Sequence, residues 1–386
     1  MKRPALLAAA IPVAALLVLG LGGQTASAPR VLRRPPGRVP FRGGPERIVA
    51  TGRMTVARAA HTATRLADGR VLVTGGLGGG GTSELYDPGT MTFSEGPSLL
   101  EVRAGSHSAT LLPDGRVLVA GGWRDGQALA STELYDPAAN RFFPGPRMTT
   151  LRAEHTATLL PDGRVLMAAG VAAGYDRPFL SSAELYDPAS GVFRATNRLI
   201  TPRRAHIANL LPDGRVLITG GSSARGNVLS SAEAWGPLTE SFLPAGELAV
   251  PRYKHAAETL AGGRVLVLGG SDARDDLGRY ASTEIFDPES NAFFPAAGMS
   301  EARYKLQDAV ARLPGGEVLV AGGGERVEVY DVASGSFREV EGGLGDGRLF
   351  MTATALAGGS VLLAGGYGYH SNLTAQAWLY RPAGTP

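Results

Sequence analysis

The sequence of 386 residues predicts an all-β protein assembled from seven copies of one unit. Three observations carry this prediction. A Gly pair, or its equivalent, recurs in phase: its second member stands at Gly76, Gly122, Gly170, Gly221, Gly270, Gly323 and Gly366, at spacings of 43 to 53 residues. Each pair follows a short apolar run such as Val117-Leu118-Val119 or Val265-Leu266-Val267-Leu268, as fits a strand buried on both faces. No segment shows sustained helical periodicity, and the 54 Gly with no Cys suit many tight turns in a fold held by its core. A unit of this length cannot bury its own apolar face, so the copies must stack on one another.

The order within a unit is clearest between Arg152 and Phe193. His155 leads to the turn Asp162-Gly163, then Val165-Leu166-Met167, Ala169-Gly170, Glu184-Leu185-Tyr186-Asp187-Pro188 and Phe193. Asp-Gly pairs suit tight hairpin turns, and Asp-Pro marks the next turn. The stretch between the Gly pair and Glu-x-Tyr varies in length, as a surface loop does. Gly-Gly after a short strand, then Tyr, then a closing aromatic, resembles the kelch motif, and the resemblance covers Arg47 to Pro382. It implies that each unit is a four-stranded blade, and so an all-β, seven-bladed kelch β-propeller.

Taken in order, residues 1–28 read as a secretory signal peptide. Lys2 and Arg3 are its basic end, Ala5 to Leu21 its apolar stretch, and Ala26-Ser27-Ala28 its cleavage site before Pro29. The protein is therefore expected to be secreted or periplasmic, with membrane contact only through an uncleaved signal. Residues 29–45 read as a Pro/Arg-rich linker and residues 46–386 as the propeller. In later units an aromatic and a Met or Leu stand six apart, as in Phe142 and Met148; Ile48 and Met54 keep that spacing. Residues 46–54 are therefore expected to be a lone outer strand. The last unit holds three strands and ends after Trp378-Leu379-Tyr380. The N-terminal strand should complete that blade and remove its open edge.

The net charge of +3 belongs to the chain's start: Lys2, Arg3, Arg30, Arg33, Arg34, Arg38 and Arg42 leave the remainder at −4. No nucleic-acid partner is expected. Neither a Gly-x-Ser-x-Gly elbow, a His-Glu-x-x-His pair nor a phosphate-binding Gly-Lys-Ser/Thr loop is present. Galactose-oxidase-like enzymes of the kelch type use copper with a Tyr crosslinked to Cys. Without Cys, that cofactor is not expected here, and no metal or other cofactor is.

Polar positions recur in register. Arg opens every unit, at Arg58, Arg103, Arg152, Arg203, Arg252, Arg303 and Arg348, and six units carry Glu, at Glu84, Glu133, Glu184, Glu233, Glu284 and Glu328. These read either as architectural Arg–Glu pairs or as a cationic rim for an anion. In blade seven Trp378 replaces the Glu, which leaves Arg348 available to a ligand. His61, His107, His155, His206 and His255 form a second series, continued by Asp308 and Met351; the expected role is structural hydrogen bonding.

Function is expected where symmetry breaks, in blades five to seven. Their lead-in loops carry Arg252-Tyr253-Lys254, Arg303-Tyr304-Lys305 and Arg348-Leu349-Phe350, and blade seven adds Tyr367, Tyr369 and His370. Blade five's loop holds Asp272, Arg274, Asp275, Asp276, Arg279 and Tyr280, and blade three's holds Tyr175, Asp176 and Arg177. Aromatic faces beside cations suit an acidic peptide or a sugar with a carboxylate. The ligand-binding candidates are thus Arg252, Tyr253, Lys254, Arg303, Tyr304, Lys305, Arg348, Phe350, Tyr367, Tyr369 and His370, on a monomeric binding or scaffold protein whose ligand is a protein or an anionic glycan. The alternative is a metal-free carbohydrate-active enzyme, like the sialic-acid mutarotases of the kelch type. It would take Asp308, Glu328 or His370 as acid and base.

Overall fold

The structure is a computed structural model that describes residues 44–173, 179–223 and 226–384. The leader, most of the linker and the blade-three residues Tyr175, Asp176 and Arg177 lie outside the described residues.

Among the described residues the chain forms seven four-stranded antiparallel sheets, besides a two-stranded ribbon of Trp123–Arg124 with Gln127–Ala128. After the N-terminal strand β1 (Arg47–Ala50), blade one lays β2 (Thr62–Arg65), β3 (Val71–Thr74), β4 (Ser83–Asp87) and β5 (Thr92–Glu95) side by side in chain order. The second strand is buried along its whole length in blade one and in its counterparts Val117–Ala120, Val165–Ala168, Val216–Thr219, Val265–Leu268 and Val361–Ala364. Blades stack face to face, so both faces of this strand are covered. Val71 and Val73 pack on Leu362 and Ala364 of blade seven, while Leu72 packs on Val117 and Val119 of blade two. Each such side chain contributes about 1.5–3 kcal/mol by burial. This explains apolar runs without alternation.

Further out, Tyr86 packs on Phe93, Tyr135 on Phe142 and Tyr186 on Phe193, with ring centroids 4.8, 5.1 and 4.8 Å apart. The Gly pair has a steric cause. Gly75 and Gly76 have φ of +61° and +89°, and a Cβ on Gly75 would lie 2.7 Å from the Arg103 carbonyl of the next blade. Closure follows the expectation: β1 pairs antiparallel with Ala377–Arg381, matching Ile48 to Tyr380 and Ala50 to Trp378. The innermost strands surround a central bore.

Candidate functional site

The repeated Arg side chains are structural. Arg58, Arg103, Arg152, Arg203, Arg252 and Arg303 are fully buried, and each is ion-paired with its own blade's Glu at 2.7–3.0 Å. Arg152 also donates to the carbonyls of Ala169 and Ser182, while Glu184 accepts from the backbone N–H groups of Thr149 and Thr150. A buried pair contributes little net stability, but it fixes the loop that leads into each inner strand. Arg252 and Arg303 therefore present no surface to a ligand, against the sequence expectation. Glu328 is likewise committed to Arg303. Arg348 is also buried rather than available. It lies over Trp378 at 5.6 Å and reaches Asp346 at 3.3 Å.

The His series links neighbouring blades. The Nε2 atoms of His61, His155, His206 and His255 lie 3.0–3.1 Å from Thr352, Ser108, Thr156 and Thr219 of the preceding blade. Burial and the nearby Arg charges push His61, His155 and His255 down to about 3, so these rings stay neutral. Blade six departs from the sequence reading. Two extra residues precede its inner strand Val310–Arg312 and form a turn closed by the Ala309 N–H on the Leu306 carbonyl. Leu306, not Asp308, fills the His place against Gly269. Asp308 is thereby turned into the bore.

The bore has a volume of about 840 Å³. Its mouth is a collar of seven residues, one per blade: Ala60, Ser106, Glu154, Ala205, Lys254, Lys305 and Phe350. All seven have left-handed backbone, with φ between 48° and 55°. This conformation is costly for residues other than Gly. Backbone bonds hold it: Lys254 N–H donates to Ala205, Lys305 to Lys254, Phe350 to Lys305 and Ala60 to Phe350, at 2.8–3.1 Å. The collar's seven side chains are of five residue types, with Ala and Lys twice each, so no repeated residue marked it along the chain. Glu154 belongs to it. The Glu154 carboxyl is pushed up by burial and lies 3.5 Å from Arg204.

Lead-in loops and Gly-pair loops share the mouth, bridged at Ala59–Leu77, Tyr253–Ser271 and Leu349–Tyr367. On blades five to seven this brings together Tyr253, Lys254, Tyr304, Lys305, Phe350 and Tyr367. The Lys254 ammonium lies 4.6 Å from the Tyr253 ring centre, and that of Lys305 lies 4.6, 5.7 and 5.7 Å from Tyr304, Phe350 and Tyr367. Between the two lysines sits Asp275, 2.8 Å from Lys254 and 3.7 Å from Lys305, accepting a 3.0 Å bond from the Tyr253 hydroxyl. Burial raises the Asp275 carboxyl, but these partners outweigh it and hold the group below its ordinary value. Burial and the Asp275 charge push Tyr253 up to about 12. Tyr304 is only 3% exposed, so against the sequence expectation its ring backs Lys305 and offers no open face to a ligand. Tyr369 stands outside this group, paired with Arg279 at 3.1 Å, and His370 is exposed on the same loop.

Deeper in the bore are Asp308 and Glu258. Asp308 is open to water within the bore, yet protein surrounds it and its carboxyl has no hydrogen-bond partner among the described residues. Loss of bulk solvent pushes it up to about 6. Burial pushes Glu258 up to about 7, partly opposed by Arg312.

The Kelch motif profile matches residues 104–149. No curated protein matches the chain in sequence. A solved structure of a fungal alcohol oxidase of the AA5 family, in complex with copper, is similar over 88% of this chain and 76% of its own, at 18% identity and a TM-score of 0.65. That likeness is of fold. A copper site of this kind does not fit the residues present: the chain has no Cys, its inner His rings are engaged between blades, and no cluster of three metal-ligating side chains occurs among the described residues. The in-phase repeat and the ring of seven four-stranded sheets closed by the N-terminal strand make the chain a seven-bladed β-propeller in which the Kelch motif is present.

Proposed function

We propose that the protein is a binding module that takes an anionic glycan at the lip of its bore on blades five to seven. One observation carries this reading: Lys254 and Lys305 stand among the rings of Tyr253, Phe350 and Tyr367 beside an open cavity, with the buried Tyr304 ring behind Lys305. Aromatic faces stack on sugar rings, and ammonium groups meet carboxylates. Kelch propellers commonly serve as binding scaffolds, which supports the general class. The basic and apolar leader supports work outside the cytoplasm. Arrays of acidic and neutral glycans and of acidic peptides, probed with the full chain and its Lys305→Met variant, test the reading. Retention of acidic glycans that the variant loses supports it. Peptide binding alone, or binding indifferent to Lys305, overturns it.

Asp308 favours a second reading, a metal-free enzyme acting on carbohydrate. An unpartnered carboxyl in the bore, pushed up to about 6, suits proton transfer near neutral pH. Product formation from a sugar, abolished in Asp308→Asn, would establish it.

A further inference from the structure

The lip contains a bound carboxylate already, and it belongs to the chain itself. Asp275 lies on the long loop of blade five, in a short 3-10 turn spanning Asp275–Gly278, with φ of +57°. Its Oδ1 is 2.8 Å from Lys254 and accepts from the Tyr253 hydroxyl at 3.0 Å, and its Oδ2 is 3.7 Å from Lys305. Both lysines and Tyr253 line the bore. That same turn is open to solvent on its other side: Leu277 is 85% exposed. The Asp275 backbone is left-handed, a conformation that Asp tolerates better than most residues but still adopts at some cost relative to Gly.

We propose that Lys254, Lys305 and the Tyr253 hydroxyl form a carboxylate seat that Asp275 occupies when no ligand is present, and that an incoming carboxylate replaces it. The inference rests on the lip reading above and adds the recognised group and the internal competitor. Three features make the seat specific for a carboxylate. It offers two ammonium groups and one hydroxyl donor to two oxygens. It is walled by aromatic rings, which limits hydration of the charge. It opens on the bore, so the rest of the ligand has room. Release of Asp275 costs its ion pairs but relieves the left-handed backbone, and the loop has no buried apolar side chain at its tip to hold it.

An internal competitor lowers apparent affinity by the fraction of molecules in which the seat is empty. Asp275→Asn keeps a side chain of the same shape and removes the charge that holds the lysines. Calorimetric titration of the full chain with D-glucuronate, and separately with N-acetyl-L-aspartate, reads the effect, with glucose as the neutral control. The expected result is binding about tenfold tighter in Asp275→Asn than in the unsubstituted protein. That gain should disappear when Lys254→Met and Lys305→Met are added. Either preference supports the seat; preference for glucuronate also supports the glycan reading, and preference for the aspartate derivative overturns it in favour of a peptide. Equal binding with and without Asp275 overturns the internal competitor and leaves the lip reading standing. No binding of either probe by either protein overturns both. Asp275→Ala supplies a check by stability: acetate should raise its melting temperature above that in chloride of equal ionic strength and leave the unsubstituted protein unmoved. An equal response of the two proteins overturns the seat.

Discussion

The Arg348 guanidinium lies over the Trp378 ring, 5.6 Å from its centroid, in the place where Arg152 of blade three donates twice to Glu184. Blade seven thus keeps the cation and replaces its carboxylate with an aromatic face. Trp378 pairs with Leu363 just as Glu84 pairs with Val73, so the exchange is in register.

The exchange predicts unequal costs. Arg152→Met leaves Glu184 buried without a cation and should lose roughly 3–5 kcal/mol. Arg348→Met strands no buried carboxylate, because its partner Asp346 is 40% exposed, and should lose roughly 1–2 kcal/mol. Denaturant unfolding of both variants measures the difference; equal losses would refute this account of blade seven.

A second prediction concerns acid. Burial holds His155 at about 3 in the folded chain, against 6.5 for a free ring. Between these values the unfolded chain binds the proton and the folded chain does not, so stability falls as pH drops through this window. His155→Leu copies the natural Leu306. It should make stability less steep in pH, by about 1.4 kcal/mol per pH unit between pH 4 and 6. An unchanged slope counts against a neutral buried ring.

Glu258 should act in the opposite sense. Its folded value of about 7 lies above the ordinary 4.5, so here the folded chain binds the proton. Stability from this group is complete below the ordinary value and is lost as pH rises to about 7. Glu258→Gln should therefore gain on the order of 3 kcal/mol relative to the unsubstituted protein on going from pH 4 to pH 8. Parallel stability curves for the two proteins would rule this out.

The closing strand yields a fourth prediction. Without Arg47–Ala50, Ala377–Arg381 becomes an open edge and Ile48 leaves the core of blades six and seven. A chain beginning at Gly52 should melt at lower temperature and self-associate through that edge. Light scattering and calorimetry read both effects; a monomer of unchanged melting temperature would show that closure is dispensable.

Much of the fold was readable because it rests on repetition. Gly pairs, apolar triplets and Glu-x-Tyr each report one local need, and seven copies in phase remove the ambiguity of one. The lone outer strand at residues 46–54 was readable for the same reason: Ile48 and Met54 keep the spacing of Phe142 and Met148. The site was half readable. Large residues at 253–254, 304–305, 350 and 367 stood out against small ones in earlier blades, and the structure brings these together. Arg252, Arg303 and Arg348 stood beside them in sequence but point the other way, into the blades.

The sequence by itself determined the repeat, the strand order within a unit, the closure and the blades where symmetry breaks. Each is a pattern of spacing and residue type, carried by local sterics and burial. Only the tertiary structure decided which polar groups face the bore. Glu154, Asp275 and Lys305 come from blades three, five and six, and nothing along the chain links them. The turn at Leu306 to Ala309 decided that Leu306 packs and Asp308 faces the bore. A two-residue insertion changes which side chain points inward, and that direction is fixed by the neighbouring blade.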